Sequence, residues 1–166
     1  MKLTDINLNN IKLVVFDFDD TLAIHKDKDF SKHRRESEEN LINFYYNAYN
    51  NPNCFYDEIE PCTRSEVLYN LIDILRSKNI KMYCLSGMKF SFHLKAKQAF
   101  VNKHYGEDIE VIATSSQELK LIGLKILKKI SNCNSDEILL IDDRQDVIDL
   151  LIENGINGIN VKDLTI

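Results

Sequence analysis

The sequence lacks the features that would place it in several large classes of protein. Its four cysteines show neither CxxC spacing nor an accompanying histidine cluster, so neither a zinc site nor a redox pair is predicted. Acidic residues outnumber basic ones, and the net charge of -5 argues against a surface that binds nucleic acid nonspecifically. No apolar run approaches membrane-spanning length, and residues 1–10 lack an apolar signal core. We therefore expect a cytoplasmic protein with reduced thiols.

What the chain does contain is typical of one globular α/β domain. Its 166 residues are enough to bury a sizeable core, and 44% hydrophobic and 28% charged residues are usual for a soluble protein. Short apolar runs alternate with segments of helical periodicity, which predicts βαβ units and a parallel sheet. The predicted strands are 11–16, 80–85, 109–113, 137–141 and 156–161. The predicted helices are 36–49, 63–78, 90–105, 147–154 and the segment after 114–116.

Three aspartates follow the first predicted strand within four residues: Asp17, Asp19 and Asp20. The carboxyl ends of parallel strands are where open α/β sheets bind their ligands. Carboxylates this close together repel one another unless a cation or a shared proton holds them, so the cluster predicts a site for a hard metal such as Mg²⁺. The alternative is a strand that runs out into an acidic turn.

The pattern Asp17-x-Asp19-x-Thr21-Leu22 resembles the first motif of the haloacid dehalogenase (HAD) superfamily, whose members are mostly Mg²⁺-dependent phosphatases. Three later features are similar to the family's other motifs and occur in the same order. A Ser-Gly pair ends the second strand, a lysine lies on the helix after the third strand, and an acidic pair follows the fourth strand. These are Ser86 with Gly87, Lys120 with Lys125 as the reserve, and Asp142 with Asp143.

The resemblance implies a role for each of these residues. Asp17 would be the nucleophile, and Asp19 would protonate the leaving group and complete the metal shell with its backbone carbonyl. Asp20 would fix the loop. The phosphoryl group would be held by Ser86, Gly87 and Lys120. The metal ligands would be Asp17, Asp19, Asp142 and Asp143. The sequence leaves open whether Asp142 or Asp143 is the direct ligand, because Asp142 with Asp146 fits the family's Asp-x-x-x-Asp form and Asp143 fits its Asp-Asp form.

The resemblance also implies a fold. We expect an α/β, Rossmann-like three-layer αβα sandwich with a mostly parallel sheet, as one domain over residues 1–166. Residues 23–62 would be a small cap inserted after the first strand, which in the family selects substrate and excludes water. Within it, 23–35 is predicted as an exposed loop and 54–62 as irregular. Separately, the helical pattern of 90–105 predicts that Leu94, Phe100 and Val101 face inward and that several lysines lie outside.

Function follows from the same resemblance: a Mg²⁺-dependent phosphomonoester hydrolase with an aspartyl-phosphate intermediate. The string 139–147 is similar to deoxyribonucleotidases and to the phosphatase domain of phage polynucleotide kinase, so nucleotides, nucleic-acid 3′ ends or other small phosphate esters are expected substrates. Met88 stands where several nucleic-acid-end phosphatases carry Arg, which weakens the expectation of such ends. The run Lys32 to Arg35 is expected to be solvated, or else to meet further phosphates of the substrate. The alternatives are a noncatalytic module that binds a phosphorylated ligand and a phosphotransferase or mutase.

Overall fold

A computed structural model shows a five-stranded parallel sheet at the centre of the fold. The structure describes residues 1–26, 36–50, 59–88, 90–115 and 118–166. The strands are β1 (Leu13–Phe16), β2 (Ala23–His25), β3 (Ile59–Pro61), β4 (Lys81–Gly87), β5 (Ile109–Thr114), β6 (Ile138–Asp142) and β7 (Asn157–Asn160). The strand order in the central sheet is β5-β4-β1-β6-β7, and every neighbouring pair is parallel. The predicted α/β class is confirmed.

Helices cover both faces of this sheet. They are α1 (Glu38–Asn50), α2 (Ser65–Ser77), α3 (Phe92–His104), α4 (Glu118–Ser131) and α5 (Gln145–Glu153), with 3₁₀ turns at Leu3–Asp5, Ser135–Glu137 and Val161–Asp163. None of the helices in the described part of the chain has the length and apolar character needed to cross a membrane.

The central strand β1 is completely buried and divides the core into two clusters. Its side chains alternate between the faces of the sheet, as a strand requires. Val14 and Phe16 pack with apolar residues of α2 and α3. Leu13 and Val15 pack instead with apolar residues of α4 and α5. Burial on both faces explains why this strand is a continuous apolar run with no polar alternation.

The insertion after β1 differs from the prediction at its two ends. Residues 23–35 are predicted as a loop and 54–62 as irregular, yet Ala23–His25 and Ile59–Pro61 form an antiparallel two-stranded ribbon. The prediction was wrong here because a three-residue strand is too short to show alternation, and its partner is distant in sequence. Lys32, His33, Arg34 and Arg35 lie outside the described residues. That residues 23–62 act as a cap stays a prediction.

Candidate active site

The register of the sheet places Asp17 and Asp142 side by side. Phe16 is paired with Ile141, so the next residue of each segment lies at the same edge of the sheet. The Asp17 amide donates a hydrogen bond of 2.9 Å to the Ile141 carbonyl, which extends the pairing by one residue. Both aspartates are buried, Asp142 completely. Two carboxylates from distant parts of the chain are thus held together out of solvent.

Asp143 joins these two carboxylates to form a group of three. One carboxylate oxygen from each of Asp17, Asp142 and Asp143 lies within 4.8 Å of the others. The Asp143 carboxylate also accepts a bond of 3.2 Å from the ammonium of Lys162, an exposed residue. The sequence leaves open whether Asp142 or Asp143 would hold a metal, and in the structure both offer an oxygen to the same group.

Lys120 binds two of these three carboxylates. Its Nζ donates to Asp17 Oδ1 at 2.6 Å and to Asp142 Oδ2 at 2.9 Å, and the side chain is 2% exposed. Burial favours the neutral amine, but the charges of Asp17 and Asp142 outweigh it and raise the pKa of Lys120. Lys120 is therefore a buried ammonium. Lys125, the other lysine considered for this role, is exposed on the same helix.

Opposing effects act on the pKa of the Asp17 carboxyl. Burial raises the pKa of its carboxyl to about 7, although Lys120 acts in the opposite direction and the charges of Asp142 and Asp19 reinforce the effect of burial. Asp17 therefore gains or loses its proton near neutral pH.

A second buried lysine, Lys97 of α3, contacts the other half of the site. Its Nζ donates to Asp19 Oδ2 and to Ser86 Oγ, each at 2.7 Å. The same ammonium lies 4.3 Å from the centroid of the Phe18 ring. Lys97 is 3% exposed and Ser86 is fully buried. The structure thus brings Ser86 beside Asp19, at the sheet edge where Asp17 lies.

Lys97 is the residue that the sequence analysis missed, because the lysines of its helix are predicted to face solvent. A signal for its burial is present in the sequence. Lys97 follows Leu94 by three residues and precedes Val101 by four, so it lies on the apolar face of the helix. A lysine on such a face must find a partner for its charge. Asp19, in the turn after β1, supplies that partner, and Ser86 at the end of β4 accepts a second hydrogen bond.

The turn after β1 and the end of β4 shape the edge of the site. Asp20 has φ 61, a left-handed conformation that Asp adopts more easily than most residues, and its amide donates to the Ala23 carbonyl at 2.8 Å. The buried Thr21 hydroxyl has no hydrogen-bond partner among the described residues. At Gly87 an added Cβ would meet no atom within 4 Å, so this backbone borders open space.

Comparisons with known proteins identify the fold. No family model matches the sequence, and no curated protein matches it significantly. A haloacid dehalogenase-like protein from Bacteroides fragilis is 16% identical with a TM-score of 0.55, over 90% of this chain and 87% of that chain. A HAD family enzyme from Bacteroides thetaiotaomicron, in a magnesium complex, is 16% identical with a TM-score of 0.55, over 91% and 93% of the two chains.

An aspartate-to-alanine mutant of the same B. thetaiotaomicron enzyme, solved with magnesium and inorganic phosphate, is also similar in structure. It is 16% identical with a TM-score of 0.53, over 90% of this chain and 93% of that chain. This chain therefore has the HAD fold, as the motifs predict. The similarity to nucleotidases and to polynucleotide kinase stays a prediction.

Proposed function

We propose that this protein is a Mg²⁺-dependent phosphomonoester hydrolase that acts through an aspartyl-phosphate on Asp17. The observation that carries the proposal is the convergence of Asp17, Asp142 and Asp143 at one edge of the sheet, with Lys120 and Lys97 buried among the carboxylates. A related fold has been solved with magnesium and inorganic phosphate.

The residues present fit a hard divalent cation. Asp17, Asp142 and Asp143 offer three carboxylate oxygens, which are the ligands that Mg²⁺ prefers. With Asp19 there are four carboxylates, and they are contacted by three ammonium groups, the buried ones of Lys120 and Lys97 and the exposed one of Lys162. When all four carboxylates are ionised the cluster keeps a negative charge, which favours binding of a cation. When bound, the ion would offset the repulsion between the Asp17 carboxylate and the phosphoryl oxygens.

Asp17, Lys120 and Ser86 would carry out the first half of the reaction. Asp17 attacks phosphorus in line, so that a bond forms from its carboxylate oxygen to phosphorus as the bond to the leaving oxygen breaks. Lys120 fixes the carboxylate by binding Oδ1 at 2.6 Å. The Ser86 oxygen already accepts a hydrogen bond from Lys97, which leaves its own O–H to donate to a phosphoryl oxygen.

Asp19 would move the proton in both halves of the reaction. Its side chain is 55% exposed, so it faces the open side of the site rather than the core. Protonated Asp19 gives its proton to the leaving oxygen, and as a carboxylate it then takes one from the water that attacks the aspartyl-phosphate. That attack breaks the bond between phosphorus and Asp17 and releases inorganic phosphate. Asp19 is then protonated again for the next turnover.

A direct test is hydrolysis of p-nitrophenyl phosphate with Mg²⁺ and with excess EDTA. We expect turnover with Mg²⁺, loss with EDTA and recovery when Mg²⁺ is returned. Phosphate binding without turnover would favour the noncatalytic module. Transfer of the phosphoryl group to an added sugar or nucleoside would favour a phosphotransferase or mutase. A panel of nucleoside monophosphates, sugar phosphates and 3′-phosphorylated oligonucleotides then ranks the substrates.

Nucleotides are the substrate class that we favour, because exposed aromatic rings cluster around the start of the helix that carries Lys97. The Phe90 and Phe92 rings stack with centroids 5.4 Å apart, and Tyr45 of α1 meets Phe90 edge-on at 4.9 Å. Tyr49 of α1 meets Phe92 at 5.8 Å, and both Tyr49 and Phe90 are exposed. Phe92 is the first residue of α3, and Lys97 follows it by about 8 Å along the helix axis. Aromatic faces bind nucleobases by stacking.

Replacing Phe90 or Tyr49 with Ser should selectively weaken the binding of nucleotides. Stacking contributes about 1–3 kcal/mol per base, so we expect KM for a nucleoside monophosphate to rise by about fivefold or more. Turnover of glycerol phosphate, which has no ring to stack, should be unchanged. Steady-state kinetics with both substrates measure the difference. Tyr46→Ser, an exposed tyrosine of α1 outside this set of rings, is the control, and an equal loss on both substrates would contradict a base-binding role.

Binding of Mg²⁺ should strengthen as the pH rises toward 7. The folded-state pKa of Asp17, about 7, lies above its ordinary value of 3.8, so the folded metal-free protein keeps the proton while the unfolded chain has lost it. Between these two values the stability of the metal-free protein therefore falls as the pH rises, whereas Mg²⁺ binds the ionised form of Asp17. Below about pH 7 we expect the Kd for Mg²⁺ to increase by up to about tenfold for each unit by which the pH falls. Calorimetric titration from about pH 5 to pH 9 measures it, and a constant Kd would contradict the role of Asp17.

A further inference from the structure

Burying the Lys97 ammonium costs desolvation free energy, and its hydrogen-bond partners do not explain why it is buried. Taking an ammonium out of water is unfavourable unless the charge is paired and hydrogen-bonded. Its carboxylate partner Asp19 is 55% exposed at the side chain, whereas the Lys97 side chain is 4% exposed. Asp19 therefore has solvent and does not need a buried cation. An apolar side chain would fill the same inward position of α3 without the desolvation cost.

The contacts of Lys97 join two segments that each carry a proposed functional group. Asp19 belongs to the turn after β1, and Ser86 belongs to the end of β4. One ammonium donates to both, at 2.7 Å each, while the Phe18 ring lies 4.3 Å away and limits its position further. Because Lys97 holds Asp19 Oδ2, it also fixes the orientation of the other oxygen of this exposed carboxylate. The same donation fixes the Ser86 oxygen as an acceptor.

We propose that Lys97 is a positioning residue for phosphoryl transfer. It holds the Asp19 carboxylate in the orientation that gives a proton to the leaving oxygen. This inference rests on the proposed hydrolase function. It assigns Lys97 a task distinct from that of Lys120, which contacts Asp17 and Asp142 on the other side of the site.

The test compares phenyl phosphate with p-nitrophenyl phosphate in the Mg²⁺-loaded protein. The two esters differ little in shape, but p-nitrophenolate leaves without a proton, whereas phenolate is more basic and benefits from one. General acid catalysis contributes about 10²–10⁴-fold, so Lys97→Met should lower kcat/KM for phenyl phosphate by about 10²-fold. The loss for p-nitrophenyl phosphate should be much smaller. Lys95→Met, an exposed lysine of the same helix, should change neither rate.

A double-mutant cycle separates positioning from a purely structural role. If Lys97 acts through Asp19, adding Lys97→Met to Asp19→Asn should produce little further loss for phenyl phosphate, because residues that act as a unit are not additive. Additive losses would overturn the proposal. Equal losses on both esters, with weaker inhibition by inorganic phosphate, would also overturn it and would place Lys97 on the phosphoryl group itself.

The test also covers a variant that fails to fold and a wild-type protein that is inactive. If Lys97→Met does not fold, Lys97→Gln, which keeps an N–H donor on a shorter stem, takes its place in both experiments. A wild-type protein without Mg²⁺-dependent turnover would overturn the proposed function and this inference together. An active wild type whose Lys97 variants keep the selectivity between the two esters would overturn this inference alone.

Discussion

Asp17→Asn is expected to abolish turnover while the fold and the binding of a phosphate analogue stay largely intact. The amide cannot attack phosphorus, and loss of a nucleophile typically lowers kcat by about 10⁴-fold or more. The side chain keeps its shape, and Lys120 retains its bond of 2.9 Å to Asp142. Because the Asp17 carboxyl is buried with its pKa raised to about 7, removing its charge should also not lower the stability of the metal-free protein above that pH.

The measurements for Asp17→Asn are kcat with p-nitrophenyl phosphate, binding of vanadate by calorimetry and thermal unfolding without Mg²⁺. Asp146→Asn is the matched control, since Asp146 is an exposed aspartate on α5 whose partner is Arg144. This control should keep wild-type turnover. Turnover retained in Asp17→Asn would exclude the aspartyl-phosphate mechanism, even if the protein proved to be a hydrolase by another route.

The convergence at the sheet edge could be predicted from the sequence because it depends on short segments. Asp17 and Asp142 each follow a continuous apolar run, and parallel strands bring their carboxyl ends to one edge. The side of a helix on which a residue lies can also be predicted from its near neighbours in the sequence. Lys120 precedes Leu124 by four residues and Leu127 by seven, so it shares their buried face, whereas Lys125 does not.

The same rule places Lys97 on the inner face of α3, although lysines on helices usually face solvent. Other features depend on distant pairing and leave little trace in the sequence. The ribbon of Ala23–His25 and Ile59–Pro61 joins two three-residue strands across the whole insertion. The contact of Lys97 with both Asp19 and Ser86 requires the relative placement of α3, the first turn and β4. Tertiary packing, rather than periodicity, decides such contacts.

Lys120→Met should reduce both stability and activity, and the loss of stability should depend on pH. Removing one partner of a buried ion pair leaves uncompensated charge, which typically costs about 3–5 kcal/mol. Asp17 and Asp142 have 8% and 0% of their side chains exposed, so water cannot replace the ammonium. Because Lys120 lowers the pKa of Asp17, its loss raises that pKa further. A protonated Asp17 needs no partner, so the destabilisation should be largest above about pH 7 and smaller near pH 5.

Urea unfolding of the metal-free variant at about pH 8 and at about pH 5 measures this pH dependence. Turnover should fall by about 10²–10³-fold, since a preorganised cation beside the nucleophile is lost. Mg²⁺ should stabilise Lys120→Met more than it stabilises the wild type, because the ion becomes the main counter-charge for Asp17 and Asp142. Lys125→Met, an exposed lysine on the same helix, is the matched control and should leave both quantities unchanged. Equal losses in the two variants would contradict the assignment of Lys120, because only a buried ammonium that binds both carboxylates produces a penalty that grows as Asp17 ionises.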